Sequence, residues 1–327
     1  MFKSMKTEAV VIGTDSVARL TEVELPPMTD TRVKVQTLIS GVSCGTESDL
    51  ASGRSTYLKR PLITGYQAAG KVIETGGKAD NVQAGGLVVT NGGELWGMTH
   101  LFGGSHARQC VSEASGLVKL KPGAVSLATA SYGGLGAVSW EGIARMKLER
   151  GNVLLVFGLG MLGLLAGRVA QSLGLHVIGV NRSAWKREAA EKFGFDAVAA
   201  PEAGEIQKTL DALGSGPAKF AYETTGSQQI IDLALASLAS GGELSLGGYY
   251  PGKYEIDFDL CHGKNLRLHN PVGTGNYLGK FIGLVESGLN AESLIQTRVK
   301  PGEVTAFYSE LINHHSKFLG AVIDWQS

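Results

Sequence analysis

The chain has 327 residues, room for about two domains at ~150 residues each. Its 30 Lys plus Arg balance 30 Asp plus Glu, which excludes a generally basic nucleic-acid binder, and 43% hydrophobic content excludes a disordered chain. Three cysteines cannot build a disulfide framework or the four-thiolate lobe of a structural zinc.

In chain order, the N-terminal MFKSMKTEAVVIG has no long apolar core and no small-residue cleavage site, so no secretory leader is expected. From residue 5 to about 125 the stretches TEAVVIG, RVKVQTLISG, AAGKVIET, GGLVVTN and HARQCVSE read as short strands between Gly, Pro and Asp signals. They predict a barrel-like β unit with tight corners. Residues 127–148 read as a helical entry. From Gly151 the pattern changes: NVLLVFG, HVIGVNRS, DAVAA, FAYETTG and GELSLGGYY are strands alternating with helical stretches, which predicts a parallel sheet with crossover helices. The apolar run Val153–Gly167 is too short and too glycine-rich for the ~20 residues of a membrane span. After Asn270, KFIGLVESG reads as a helix and LGAVIDW as a closing strand, so the tail is expected to return to the first domain. The fold class is therefore α/β, with 1–133 and 271–327 forming the β-rich domain and 134–270 the doubly wound one. A protein of a reducing compartment, the cytoplasm, is expected.

Gly158-Leu159-Gly160-Met161-Leu162-Gly163 is a GxGxxG that follows a buried-strand run and opens a helix. That context is what a dinucleotide fingerprint requires. Gly158 permits the turn, Gly160 lets backbone approach a diphosphate, Gly163 lets helix and strand pack closely, and Met161 and Leu162 bring N–H groups of the helix start to the phosphates. The next strand ends in Val180-Asn181-Arg182-Ser183 without an acid. Asn181 could bond a ribose hydroxyl, while Arg182 with Lys186 could pair a 2′-phosphate, which tilts toward NADP, or Arg182 could stack on adenine, which suits NAD.

The order and spacing of Gly41-Val-Ser-Cys44-Gly-Thr46-Glu47, Gly65-Tyr66-Gln67-Ala-Ala-Gly70, Gly104-Ser-His106, the glycine turn and Glu223-Thr-Thr225-Gly226 resemble the medium-chain dehydrogenase/reductase superfamily over nearly the whole chain. The resemblance implies a GroES-like catalytic domain beside a Rossmann domain, and Thr225 in the cofactor region. Zinc members resemble one another in a Cys-Gly-Thr-Asp, a Gly-His-Glu and a third ligand. Here Cys44 matches the first ligand, Tyr66 and Gln67 replace His and Glu, and Gly134 falls near the third. Such a set cannot hold a catalytic zinc, which needs three protein ligands, so no metal is expected. Cys44 then reads as a small pocket-lining residue. His100 and His106 have a spacing that matches no zinc signature.

Within the superfamily, Ser40–Glu47, Ser52-Gly53-Arg54, Gly65-Tyr66 and Leu101-Phe102-Gly103-Gly104 are most similar to the 3-(1-hydroxyethyl)bacteriochlorophyllide a dehydrogenases (the BchC family) of bacteriochlorophyll synthesis in photosynthesis. Gln67 departs from the Glu expected there. The resemblance implies NAD-linked oxidation of a 1-hydroxyethyl group on a chlorophyllide to acetyl, a tetrapyrrole pigment as partner, and a homo-oligomer. NAD is favoured over NADP. Without zinc the alcohol proton must pass through hydrogen-bonding side chains. Thr46 matches the superfamily's substrate-contacting hydroxyl. Tyr66 stands where a ligand would, and Asp49 stands where a relay histidine would. Tyr57, Trp96 and Phe102 could wall a flat macrocycle, and Arg54, Lys59 or Arg60 could pair its carboxylate. A zinc-independent quinone or enone reductase and a non-catalytic dinucleotide-binding regulator remain as other readings of the same residues.

Overall fold

The computed structural model describes residues 5–55, 58–91, 100–101, 103–121, 123, 126–273 and 277–327. They fall into two compact units, one made of residues 1–134 and 285–327, the other of residues 135–284.

The first unit carries β1 (Lys6–Ile12), β2 (Ala18–Glu24), β3 (Arg32–Val42), α1 (Cys44–Ser52), β4 (Leu62–Ile63), β5 (Ala68–Thr75), β6 (Leu87–Thr90), β7 (His100–Leu101), β8 (Gln109–Glu113) and β9 (Val118–Lys119). The short helix α2 (Leu127–Ala130) follows, capped by the Ser126 hydroxyl on the Thr129 amide, and then α3 (Gly133–Ala144), which runs on into the second unit. A small sheet runs β2-β1-β4-β7. The strand β3 sits centrally in a larger one: β5 pairs one of its edges, and β8 also pairs it. Val33, Val35, Thr37 and Ile39 of β3 are buried at every second position, the spacing of one strand face, and Val42 at its end is buried as well.

The second unit holds six parallel strands, β10 (Val153–Phe157), β11 (His176–Val180), β12 (Ala197–Ala199), β13 (Phe220–Glu223), β14 (Glu243–Leu246) and β15 (Arg267–His269). Between them run α4 (Met161–Ser172), α5 (Ala184–Lys192), α6 (Ala203–Ala212), α7 (Gln228–Ser237) and α8 (Phe258–Gly263), and α9 (Tyr277–Glu286) follows β15. The order β12-β11-β10-β13-β14-β15 reverses direction between β10 and β13, which places the ligand crevice of such a sheet at those strand ends. Leu154, Leu155, Val156 and Phe157 are all fully buried, as expected for a strand covered by helices on both faces.

The return to the first unit comes at Val285, later than the 271 read from the sequence, because the Phe281 ring of α9 packs on Gly136 of α3, where a Cβ would overlap it. From there β16 (Ile295–Val299), α10 (Val304–His314) and β17 (Gly320–Asp324) complete the first unit, with β17 antiparallel to β3. No helix among the described residues is long and apolar enough to cross a membrane.

Candidate active site

The glycine turn sits at the C-terminal end of β10. Gly158 has φ +94°, a conformation that side chains resist. A Cβ on Gly163 would overlap the Gly158 carbonyl oxygen, so this residue lets α4 start tight against the turn. Gly160 differs: its backbone is extended at the N-cap of α4, and a Cβ there would meet nothing within 4 Å. The open space beside the amides of Met161 and Leu162 fits a diphosphate, and the residues present therefore fit a dinucleotide.

After β11, Asn181 Oδ1 accepts from the Ser183 amide at 2.9 Å. Arg187, which the sequence did not single out, donates to the carbonyls of Asn181 (2.6 Å) and Arg182 (3.1 Å) and so clamps this loop. Arg182 is exposed, while Lys186 is buried, with its ammonium 5.3 Å from the Trp185 ring centre. Thr225 is exposed, and its hydroxyl donates to the Glu223 carboxylate and accepts from the Ser227 amide.

In the first unit, α1 begins directly after β3 and carries Cys44, Thr46 and Glu47 on its first turn. Tyr66 enters from the segment between β4 and β5. A Cβ on Gly134 would come within 2.8 Å of the Tyr66 ring, so the ring takes the space that a longer side chain at 134 would need. The phenol lies in hydrogen-bonding relation to the side chains of Ser43 and Thr46. Burial pushes its pKa well above the usual phenol range, the Glu47 and Cys44 charges push the same way, and Ser43 and Thr46 offset this only in part. Tyr66 is thus a proton donor at neutral pH. Gln67 is buried, with its amide on the Gly41 carbonyl at 3.3 Å. Cys44 Sγ lies 3.8 Å from the Val42 carbonyl.

Beneath this cluster lies a network that the sequence reading missed. The fully buried Glu47 carboxylate accepts from the Ser43 amide (2.9 Å), the Thr64 hydroxyl (3.1 Å), His106 Nε2 (3.0 Å) and the Tyr308 hydroxyl. His106 Nδ1 is 2.8 Å from the Ser40 hydroxyl, which itself accepts from Trp325 Nε1 at 2.9 Å. A carboxylate only accepts, so His106 Nε2 carries a hydrogen toward Glu47, while Nδ1 shares a hydrogen bond with the Ser40 hydroxyl, whose oxygen has room for the indole N–H as well. Burial works to raise the Glu47 pKa, but His106, Tyr308 and the Ser43 amide outweigh it and hold the group below its ordinary value. Glu47 was legible only as part of a quoted motif, and Tyr308 and Trp325 carry no local signal.

The structure thus brings Cys44, Thr46 and Tyr66 together. Asp49, one turn further along α1, has its carboxylate engaged by Arg54 at 2.6 Å, and Arg54 also donates to Ser48. Arg60 is hydrogen-bonded to Ser16. The pocket residues Tyr57, Trp96 and Phe102 lie outside the described residues.

Two family models match the chain: an alcohol dehydrogenase GroES-like domain over residues 29–122 and a zinc-binding dehydrogenase domain over residues 162–286. The chain belongs to the medium-chain dehydrogenase/reductase superfamily. It is 26% identical to the L-threonine 3-dehydrogenase of Pyrococcus horikoshii over 284 residues, covering 78% of this chain and 80% of that protein. Among solved structures it superposes on the 2R,3R-butanediol dehydrogenase of Bacillus subtilis with a TM-score of 0.82 at 19% identity, over 97% and 99% of the two chains. It also superposes on a putative zinc-binding dehydrogenase of Sinorhizobium meliloti bound to NADP, with a TM-score of 0.82 at 19% identity, over 98% and 99%.

The superfamily's zinc does not fit the side chains at the corresponding positions. A phenol, an amide tied to backbone and a glycine stand beside the single thiol of Cys44, and among the described residues no three His, Cys, Asp or Glu side chains converge as ligands.

Proposed function

We propose that this chain is a nicotinamide-dependent dehydrogenase that works without zinc and oxidises the 1-hydroxyethyl side chain of a chlorophyllide-type macrocycle to acetyl, in bacteriochlorophyll synthesis. The observation that carries the zinc-free part is Tyr66, packed on Gly134 with its hydroxyl beside Ser43 and Thr46. The pigment substrate rests on the resemblance of Ser40–Glu47, Ser52–Arg54, Gly65-Tyr66 and Leu101–Gly104. The cofactor reading is supported by the open Gly160 cradle and by the NADP bound to the Sinorhizobium relative. NAD is favoured by the closer resemblance, while the exposed Arg182 leaves NADP as the second choice.

A bound nicotinamide supplies the hydride acceptor. The chain's own residues must orient the secondary alcohol and move its proton. Thr46 and Tyr66 hold the alcohol oxygen by hydrogen bonds. As the O–H proton leaves, Tyr66 accepts it while passing its own hydrogen to the half-buried Thr46 hydroxyl, which gives up its own to water, so the proton ends in solvent and no standing tyrosinate is needed. The raised phenol pKa also suits the reverse task, giving a proton to a carbonyl oxygen, and this favours a quinone or enone reductase as the second reading.

The test is an absorbance assay. Purified protein is mixed with NAD or NADP and a 3-(1-hydroxyethyl) chlorin. A red shift from conjugation of the new acetyl group, unaffected by a chelator, is expected. No shift with the alcohol, but NADH oxidation by quinones or enones, would replace this reading with the second. Activity that a chelator abolishes and zinc restores would overturn the zinc-free mechanism.

A further inference from the structure

The strand order reverses between β10 and β13, so a dinucleotide lying across that crevice has one half over β10 and β11 and the other over β13 and β14. The β11 side carries Asn181 and Arg182. On the β14 side the sequence offers no fingerprint, but the structure holds an unusual arrangement around Glu223, the last residue of β13.

Glu223 is fully buried, and among the described residues no Lys, Arg or His pairs with it. Its carboxylate accepts from the Thr225 amide (2.5 Å), the Gly226 amide (3.3 Å), the Thr225 hydroxyl and the Tyr250 hydroxyl (2.6 Å). Its backbone carbonyl accepts from the Gly247 amide (2.9 Å) and the Gly248 amide (3.2 Å). Tyr254 adds a hydrogen bond to the Gly226 carbonyl at 2.9 Å and stacks edge-on against Tyr250. Next to it, Thr224 donates to the carbonyls of Phe157 and Gly158 at 3.0 and 3.1 Å. The glycine turn, the 224–227 turn and the 247–254 loop, all at the C-terminal edge of the sheet, are stitched to one another through two consecutive residues.

Burying a carboxylate without a cation is costly, and burial pushes the Glu223 pKa up. An apolar residue at a strand end would be cheaper. What the carboxylate supplies instead is a fixed geometry for the two loops past the glycine turn.

We propose that Glu223 and Tyr250 are positioning residues that hold the 224–227 turn and the 247–254 loop in the shape that receives the nicotinamide half of the dinucleotide. This rests on the nicotinamide reading of the preceding section. Neither side chain touches the reacting atoms. The adenine half is held elsewhere, at the glycine turn and Asn181, so the two halves respond differently when the staple is cut.

The experiment measures binding to the full-length protein by titration calorimetry, with NADH, NADPH and ADP as separate probes, for wild type, Tyr250→Phe and Glu223→Gln. Tyr250→Phe removes one hydroxyl and keeps the ring. Its affinity for the better-bound reduced dinucleotide is expected to fall about tenfold, the scale of one lost charge-assisted hydrogen bond, while ADP affinity stays within about twofold. Glu223→Gln is expected to lose more, with the same selectivity. Should Glu223→Gln fail to fold, Tyr250→Phe alone decides. Equal weakening of dinucleotide and ADP, or no weakening of either, would overturn the proposal. A wild type that binds neither NADH nor NADPH would overturn the cofactor reading beneath it, whereas selective loss in a protein that ignores hydroxyethyl chlorins would uphold the staple and remove only the substrate assignment.

Discussion

Two glycines of one motif should fail in opposite ways when replaced by alanine. At Gly160 the backbone is extended and a Cβ meets nothing within 4 Å, so Gly160→Ala should leave unfolding free energy within about 0.5 kcal/mol of wild type. The same methyl occupies the space offered to a diphosphate, and dinucleotide affinity should fall about tenfold to a hundredfold, ~1.4–2.8 kcal/mol. At Gly163 the Cβ would overlap the Gly158 carbonyl oxygen, lie 3.1 Å from its carbon and lie 3.2 Å from Val156 Cγ1. These are backbone and buried-strand atoms that cannot swing aside. Overpacking of this kind costs about 1–3 kcal/mol, or roughly 2–12 °C in the melting of a unit this size. Thermal unfolding of the ligand-free protein and titration with NADH and NADPH read the two effects separately. Gly160→Ala binding dinucleotide like wild type, or melting as early as Gly163→Ala, would refute the assignment of Gly160 as the open floor of the cradle.

Further expectations concern the first unit. Tyr66→Phe should lower turnover about 10²–10⁴-fold, the range of general acid–base catalysis, with dinucleotide affinity unchanged. Thr46→Val should lower turnover less, and Asp49→Asn should stay within about threefold because its carboxylate is committed to Arg54; steady-state kinetics at fixed pH checks all three. Tyr308→Phe removes one donor from the buried Glu47 carboxylate and should cost about 1.5–3 kcal/mol, measured by denaturant unfolding. The Glu47 pKa lies below its ordinary 4.5, so its contribution to stability is present above that value and is lost as pH falls through the lower folded-state value. Glu47→Gln should therefore be less stable than wild type at neutral pH and lose less on acidification; a wild type and variant with parallel stability–pH curves would contradict this.

The alternation of strands and helices from Gly151, and the glycine turn between β10 and α4, were legible because each signal is local: five apolar residues, a turn and a helix start. What escaped depends on distant residues. Glu47 gains His106 and Tyr308 from far along the chain, and nothing near Tyr308 distinguishes it from any other helical aromatic. The later return to the first unit turns on Phe281 meeting Gly136, a contact between two helices that periodicity alone does not pair. Thr225, expected in the cofactor region, is exposed in its turn, and the hydrogen bonds of its hydroxyl to Glu223 and Ser227 were not legible because they depend on the turn's geometry. The exchange of Tyr66 for a ligand was visible in the sequence; that its ring rests on Gly134 was not.

The strand β17 lies between β16 and β3, with Ala321 opposite Val42, and Trp325 just beyond it caps the Ser40 hydroxyl. During synthesis the nucleotide-binding unit can therefore be finished while the end of β3 at residues 39–42 still lacks a neighbour along one side. Until residues 320–325 emerge from the ribosome, the 39–42 end of that side, beyond the stretch β8 pairs, is an open edge able to pair with other nascent chains. The polar core under Tyr66 thus matures last, so a product truncated before this strand would keep its dinucleotide fold but lack the indole that donates to the Ser40 hydroxyl beside His106.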